Sequence, residues 1–333
     1  MTNGTFKALV LNQKDGNTTH SIENLTQNDL PDGDVQIAVE YSSLNFKDAL
    51  AITGEGKIVR QWPMVPGIDL AGTVSGSDSA KFKVGDHVVL TGWGVGERYW
   101  GGYTQTARVK SDWLVPLPYG MDSYQAMALG TAGLTAMLCV MTLDEANVTP
   151  DKGTVLVTGA AGGVGSVAIA ILASIGYRVA ALTTPGQEHT HDYLRKLGAA
   201  EVISGSEWAE TPRSLETQRW SGAIDTVGSK VLARVLSEVK YGGAVAACGL
   251  AGGTDLPTSV MPFILRGVSL RGVDSVMCPI PRRKDAWARL ARDLPKIALT
   301  NIAKIVTLEE VPSHAEEMLR GRHKGRVVID LNP

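Results

Sequence analysis

The chain has 333 residues, 44% of them hydrophobic and 20% charged, a length better served by two domains than by one core and an apolar content that excludes disorder. Its 32 Lys and Arg against 34 Asp and Glu leave a net charge of −2, so no nucleic-acid partner is expected.

Residues 1–11 hold one short apolar run and no signal-peptide pattern. The first third then reads as β-rich. Short runs at 8–11, 35–39 and 87–90 are separated by turn clusters such as Pro31-Asp32-Gly33-Asp34 and Lys83-Val84-Gly85-Asp86, which suits a small barrel or sandwich. After about residue 125 the rhythm changes. A β-type run at 154–157 meets a glycine-rich turn, an apolar helix follows over 166–175, and a second strand is predicted at 178–182. Further strands are expected at 202–203, 223–227 and 244–248, the last buried, with a helix over 231–239. This alternation predicts an α/β fold with a doubly wound parallel sheet. Residues 326–331 are again strand-like, and either close that sheet or return to the first domain. The longest apolar stretch, 164–175, is shorter than the ~20 residues a membrane span needs, so no membrane association is expected.

Cys139, Cys248 and Cys278 are far apart and make no C-x-x-C, which suits reduced thiols in a cytoplasm and offers no zinc cluster. The histidines show no metal spacing, and His189 and His191 fall in a polar loop expected to be solvated.

The turn Gly159-Ala160-Ala161-Gly162-Gly163-Val164-Gly165 fits the dinucleotide fingerprint with Ala for its first Gly. Ala161, Gly162, Gly163, Val164 and Gly165 are therefore candidate cofactor-binding residues. Gly162 admits a pyrophosphate to the backbone, Gly165 lets helix and strand pack, and the helix N-terminus faces the anion. The second strand ends in Thr183-Thr184-Pro185-Gly186-Gln187, with no acid for a ribose and none to repel a 2′-phosphate. NADPH is favoured, held by Thr183, Thr184 and backbone N–H groups, with NADH possible.

Ser42-Ser43-Leu44-Asn45-Phe46-Lys47-Asp48, Pro66-Gly67-Ile68-Asp69-Leu70-Ala71-Gly72 and Phe82-Lys83-Val84-Gly85-Asp86-His87-Val88, with the glycine turn, resemble motifs of the medium-chain dehydrogenase/reductase superfamily, in its zinc-independent, quinone oxidoreductase-like branch. Leu90-Thr91-Gly92-Trp93-Gly94-Val95-Gly96-Glu97, Ala247-Cys248-Gly249-Leu250 and Gly272-Val273-Asp274-Ser275-Val276 are similar to its acrylyl-CoA reductase subfamily. The resemblance implies a GroES-like β-rich catalytic domain over 1–125, completed by about 300–333, and a Rossmann NAD(P)-binding domain over 126–299. It also implies a homodimer joined through edge strands near 269–273. The implied reaction is NADPH-dependent reduction of the C=C bond of a 2-enoyl-CoA, acrylyl-CoA foremost, by metal-free hydride transfer to Cβ. An NADPH-dependent quinone oxidoreductase and a non-catalytic NADPH-binding sensor are the alternatives.

In zinc-dependent members of the superfamily a Cys ligand stands where Asn45 is and a His ligand where Ile68 is, so no catalytic metal is expected. Asn45 becomes the candidate for orienting substrate or ribose through its amide. Asp48 either supports that arrangement or bonds the start of the following helix. Phe46 replaces a tyrosine of the related motif, keeping a surface against the nicotinamide without the hydroxyl. Thr131, Leu250, Ile264 and Ser275 stand where the resemblance places cofactor contacts, with ordinary core packing the alternative for Ile264. The arginines that hold a 2′-phosphate in relatives would fall near Pro185 and Gly205. Arg282-Arg283-Lys284 reads as a solvated basic helix start in preference to a site for CoA phosphates.

Overall fold

In the computed structural model, which describes residues 4–208 and 212–333, the chain divides into two units. The first comprises the chain up to Thr131 with Val276–Trp287 and Ile302–Pro333, and the second comprises Ala132–Ser275 with Ala288–Asn301.

The first unit begins with an antiparallel hairpin, β1 (Phe6–Lys14) and β2 (Asn17–Leu25). Its two-residue turn is Asp15-Gly16, with φ of 51° and 81°, the left-handed pair that matches the twist of the flanking strands. There follow β3 (Val35–Leu44), β4 (Asp69–Ser77), β5 (His87–Thr91), β6 (Thr106–Val109) and β7 (Val115–Pro116). Val35, Ile37 and Val39 alternate inward along β3 and pack with Leu70, Val74, Val88 and Leu90 in one core.

The second unit carries β8 (Val155–Thr158), β9 (Val179–Leu182), β10 (Glu201–Ile203), β11 (Trp220–Asp225), β12 (Val239–Ala247) and β13 (Ser269–Gly272). Among the described residues they form one parallel sheet in the order β10-β9-β8-β11-β12-β13. Strands 8 to 10 run outward one way and 11 to 13 the other, the doubly wound arrangement with its switch beside β8. Val155, Leu156 and Val157 are buried without alternation, as strands covered on both faces require.

The chain then returns to the first unit through β14 (Ala303–Thr307) and β15 (Arg326–Asp330). β15 pairs antiparallel with β3, Val327 opposite Leu44 and Asp330 opposite Tyr41, giving the order β14-β15-β3-β4-β5-β7 with β6 also on β3. The C-terminal strand thus closes the first sheet and not the parallel one.

The structure departs from the sequence pattern at three places. The helix Ser123–Glu145 has no counterpart among the expected elements; it is long and apolar enough to cross a membrane by length and composition, yet most of it is buried in the protein. Gly130, Thr131, Gly133 and Thr135 interrupt its apolar run. β12 stops at Ala247, so Cys248 lies just beyond the buried strand and is half-buried. The third concerns Arg283 on the helix Ile280–Asp293, which is not solvated but completely buried. Its Nη1 donates to the Thr91 carbonyl at 2.8 Å and hydroxyl at 2.7 Å, Nε to the Cys278 carbonyl at 3.3 Å, and Nη2 to the Val276 carbonyl at 3.2 Å. The guanidinium also lies 4.9 Å from the centre of the Trp93 ring. A cation so enclosed is neither a solvated helix start nor a handle for CoA phosphates.

Replacing Arg283 leaves several buried acceptors unpaired, each costing about 1–3 kcal/mol. Arg283→Met is expected to lower unfolding stability by about 3 kcal/mol or more in denaturant titration, whereas the exposed neighbour change Lys284→Ala stays within about 0.5 kcal/mol. Equal effects at both positions would show Arg283 to be solvated.

Candidate active site

In the first unit, the end of β3 runs through Ser42, Ser43 and Leu44 into Asn45, which starts the helix Phe46–Thr53. Asn45 is extended, with φ −117° and ψ 161°, and its backbone N–H donates to Asp48 Oδ2 at 3.0 Å in a capping box. The other oxygen of Asp48 accepts the Ile68 N–H at 3.0 Å. Asp48 therefore bonds the helix start and also ties it to the segment entering β4.

Asp69, the first residue of β4, is fully buried and collects four hydrogen bonds. Ser43 Oγ donates at 2.6 Å, Asn45 Nδ2 at 2.8 Å, the Thr131 N–H at 2.9 Å and the Thr131 hydroxyl at 2.6 Å. Arg326, the first residue of β15, brings Nη2 to 3.8 Å from the same carboxylate, and donates to Ser43 Oγ at 2.8 Å and Asn45 Oδ1 at 3.0 Å. Tyr103 donates its hydroxyl to the Ser43 carbonyl at 3.2 Å. The Asn45 amide is thereby bonded on both its oxygen and its nitrogen inside the protein. It positions the loop and helix start, and has no amide group left to turn toward a substrate or ribose.

Gly130 makes this closure fit. It breaks the helix Ser123–Glu145 with φ 53° and ψ −152°, a region open essentially to glycine. A Cβ there would stand 2.4 Å from Asp69 Oδ2, 2.6 Å from Ser43 Oγ and 2.8 Å from Arg326 Nη2. The break points the next N–H, that of Thr131, at the carboxylate.

The low dielectric shapes the titrations. Burial, then the nearby Asp69, pushes the Asp48 carboxyl from 3.8 up to about 7. Burial also raises the Tyr103 hydroxyl well above its ordinary value, and lowers the Arg326 guanidinium, which Asp69 counteracts. Beside this closed network Phe46 is open, its residue surface 49% exposed.

In the second unit, β8 delivers Thr158 to the glycine turn, and the helix Gly163–Ser174 starts with Gly162 as its cap. At Gly165 a Cβ would meet the Gly159 carbonyl oxygen at 2.5 Å and the Ala160 Cα at 2.7 Å, so only glycine allows the turn to lie against the helix. The first N–H groups of that helix, those of Gly163, Val164 and Gly165, have no carbonyl a turn earlier to meet, which makes a cradle for an anion. Buried Asp225 at the end of β11 braces the turn, accepting from Thr158 Oγ1 at 2.7 Å and the Gly228 N–H at 2.8 Å.

The glycine turn, Thr183, Thr184, Leu250 and Ser275 follow the carboxyl ends of β8, β9, β12 and β13, which brings them to one end of the sheet. Ala161 is buried in the turn. The Thr183 hydroxyl is already used, donating to the Ile203 carbonyl at 3.2 Å and meeting His191 Nε2 at 3.4 Å, while Thr184 is exposed. His191 is thus half-buried against Thr183, unlike exposed His189. Leu250 is exposed, and Ser275 Oγ accepts from Thr135 at 2.8 Å. Ile264 stands apart, on the helix Met261–Arg266 that leads into the start of β13, and at 73% exposure it is not core packing.

Sequence reasoning missed Ser43, Asp69, Tyr103 and Arg326 as parts of the site. The available signal was a charge immediately before a short apolar run in each of two strands, Asp69 before Leu70-Ala71 and Arg326 before Val327-Val328-Ile329.

The alcohol dehydrogenase GroES-like domain family matches residues 31–119, and the zinc-binding dehydrogenase family matches residues 163–292. The acrylyl-CoA reductase of Ruegeria pomeroyi is 54% identical over 330 residues, covering 98% of this chain and 99% of that protein. The yhdH oxidoreductase of Salmonella enterica, solved in complex with NADP, superposes with a TM-score of 0.95 at 56% identity, covering 97% of this chain and 99% of that one. Bacillus subtilis protein yhfP, solved with NAD bound, gives a TM-score of 0.95 at 44% identity, covering 98% and 99%. Despite the name of the second matched family, the residues do not fit a catalytic zinc. Ile68 has no donor atom, the Asn45 amide is engaged by Asp69 and Arg326, and no metal-holding group of three or more His, Cys, Asp or Glu occurs among the described residues.

Because the folded state raises the Asp48 pKa, protonation favours folding. Its contribution is full below about pH 4 and is lost as pH rises through about 7. The stability of the parent protein minus that of Asp48→Asn is therefore expected to fall by roughly 1–4 kcal/mol from pH 4 to pH 8 in denaturant titrations. A difference independent of pH would mean that folding leaves the Asp48 pKa unchanged.

Proposed function

The chain belongs to the medium-chain dehydrogenase/reductase superfamily and, within it, to the family of acrylyl-CoA reductases, and from that premise we propose that it reduces the C=C bond of acrylyl-CoA with NADPH, giving propionyl-CoA. The observation that carries this reading is the 54% identity to an acrylyl-CoA reductase across essentially the whole of both chains, joined to a glycine turn whose Gly165 tolerates no side chain.

The N–H groups of Gly163, Val164 and Gly165 hold the cofactor pyrophosphate, and Gly162 lets it approach. Thr184 and backbone N–H groups would hold the ribose end, and Leu250 and Ser275 would meet the nicotinamide half. When bound, NADPH supplies the hydride that enters at Cβ of the enoyl thioester. Charge then collects on the thioester oxygen, and Cα takes a proton from water, since Phe46 offers no hydroxyl and the Thr131 hydroxyl is held by Asp69. Phe46 contributes an exposed apolar face for the nicotinamide. Asn45, Asp48, Asp69 and Arg326 act as positioning residues: their closed network fixes the loop that carries Phe46, so little reorganisation accompanies reaction.

Two further features belong to this reading. β13 ends the six-stranded sheet, and a second copy adding its own β13 would make a homodimer. Cys139, Cys248 and Cys278 are unpaired with one another as disulfides, which suits the reducing cytoplasm.

Initial rates of NADPH and NADH oxidation, each with acrylyl-CoA and with a simple quinone, test the function. Turnover of acrylyl-CoA with a kcat/KM at least tenfold higher for NADPH is expected; turnover with the quinone alone would replace the reading by a quinone oxidoreductase. Phe46→Tyr is expected to change kcat for acrylyl-CoA by less than about threefold, because the ring face is kept. A rise of tenfold or more would show that a hydroxyl at this position delivers the proton.

A further inference from the structure

With Arg283 buried, the cations that could meet the anionic end of a CoA ester must lie elsewhere. Lys47 directly follows Phe46, and its ammonium pairs with Glu97. Glu97 is also approached by Arg60 Nε at 4.0 Å and Arg98 Nε at 3.7 Å. The segment around Arg60 is held in place by its own N–H, which donates to the Glu97 carbonyl at 2.8 Å. The Arg98 N–H donates to the Gly94 carbonyl at 2.8 Å. Three cations thus surround one carboxylate and leave two positive charges in excess, in a chain whose net charge is −2.

The roles within the cluster differ. The Glu97 side chain is only 16% exposed and is committed to Lys47, whereas those of Arg60 and Arg98 are 58% and 67% exposed. Neither guanidinium makes a hydrogen bond among the described residues. Each comes nearest Glu97 through Nε, at 4.0 and 3.7 Å, and stays more than half exposed, so its planar fork remains open to a phosphate. Glu97 offsets part of the repulsion between the two arginines and, through Lys47, ties the cluster to the residue that follows Phe46.

We propose that Arg60 and Arg98, gathered with Lys47 around Glu97, form the subsite for the phosphate groups of the CoA substrate. The proposal rests on the acyl-CoA reading and adds the residues that tell a CoA thioester from a thioester without its nucleotide. Pantetheine thioesters carry the same acyl group and lack those phosphates, so the subsite acts on one substrate and not on the other.

The test uses the full-length protein, the double variant Arg60→Gln/Arg98→Gln, and the control Lys14→Gln/Lys83→Gln, which removes two exposed charges elsewhere on the same unit. Steady-state kinetics are read with acrylyl-CoA, acrylyl-pantetheine and NADPH. The double variant is expected to raise the KM for acrylyl-CoA roughly tenfold or more, and to lower the CoA-to-pantetheine ratio of kcat/KM by a similar factor. The control pair is expected to leave that ratio within about twofold. A ratio unchanged in the double variant would make the cluster a solvated ion-pair network and overturn the proposal. A KM rise for NADPH in place of acrylyl-CoA would also overturn it, assigning the cluster to the cofactor's own phosphates. Titration of free CoA, followed by tryptophan fluorescence, separates the two readings. If the parent protein turned over no acrylyl-CoA but bound CoA, and the double variant bound it at least tenfold more weakly, the reductase reading would fail and the subsite would stand.

Discussion

The carboxylate of Asp69 is a charge with no access to water, and a charge in that position is tolerated only if the protein supplies everything that water would have supplied. Its partners come from four places along the chain: Ser43 at the end of β3, Asn45 in the following loop, Thr131 at the helix break and Arg326 at the start of β15. Each of these features follows from the same need. The helix breaks at a glycine because a Cβ there would occupy the carboxylate's space, and the C-terminal strand pairs with β3 where its arginine can reach Asp69 and Ser43. Removing one member of such a network strands the others, so its members behave as one unit more than as separate contacts.

The two units build their parts of the function from different materials. In the second, the backbone forms the cradle: a glycine-rich turn, the N-terminus of a helix, and the ends of parallel strands. Gly159 and Gly165 must appear in the sequence because a Cβ at either would collide with its neighbours, which makes that half readable in advance. In the first unit side chains do the work, and several are locked. Asn45 and Thr131, read as contacts for substrate and cofactor, are instead bonded to Asp69. What they present outward is mainly a position, with Phe46 at its edge.

Charge shows the same contrast. Arg282-Arg283-Lys284 looks like a basic patch because its members are neighbours in sequence, but on a helix neighbours point about 100° apart, and Arg283 turns inward to the Thr91, Val276 and Cys278 carbonyls. Lys47, Arg60 and Arg98 are dispersed in sequence and meet at Glu97. Counting charges along the chain finds the first group and cannot find the second, since electrostatic fields depend on distance in space.

By itself the sequence determined the βαβ alternation, the doubly wound parallel sheet, the glycine turn and the β-rich first unit, because period-2 and period-3.6 apolar patterns and the lack of a side chain at glycine are local properties. Only the tertiary structure decided that β15 joins β3, that Ser123–Glu145 is a helix broken at Gly130, that Asp69 and Arg326 meet, and that Asn45 faces inward. These depend on residues tens to hundreds of positions apart satisfying one another's hydrogen bonds, and no pattern confined to a short stretch of chain records which partner a buried polar group will find.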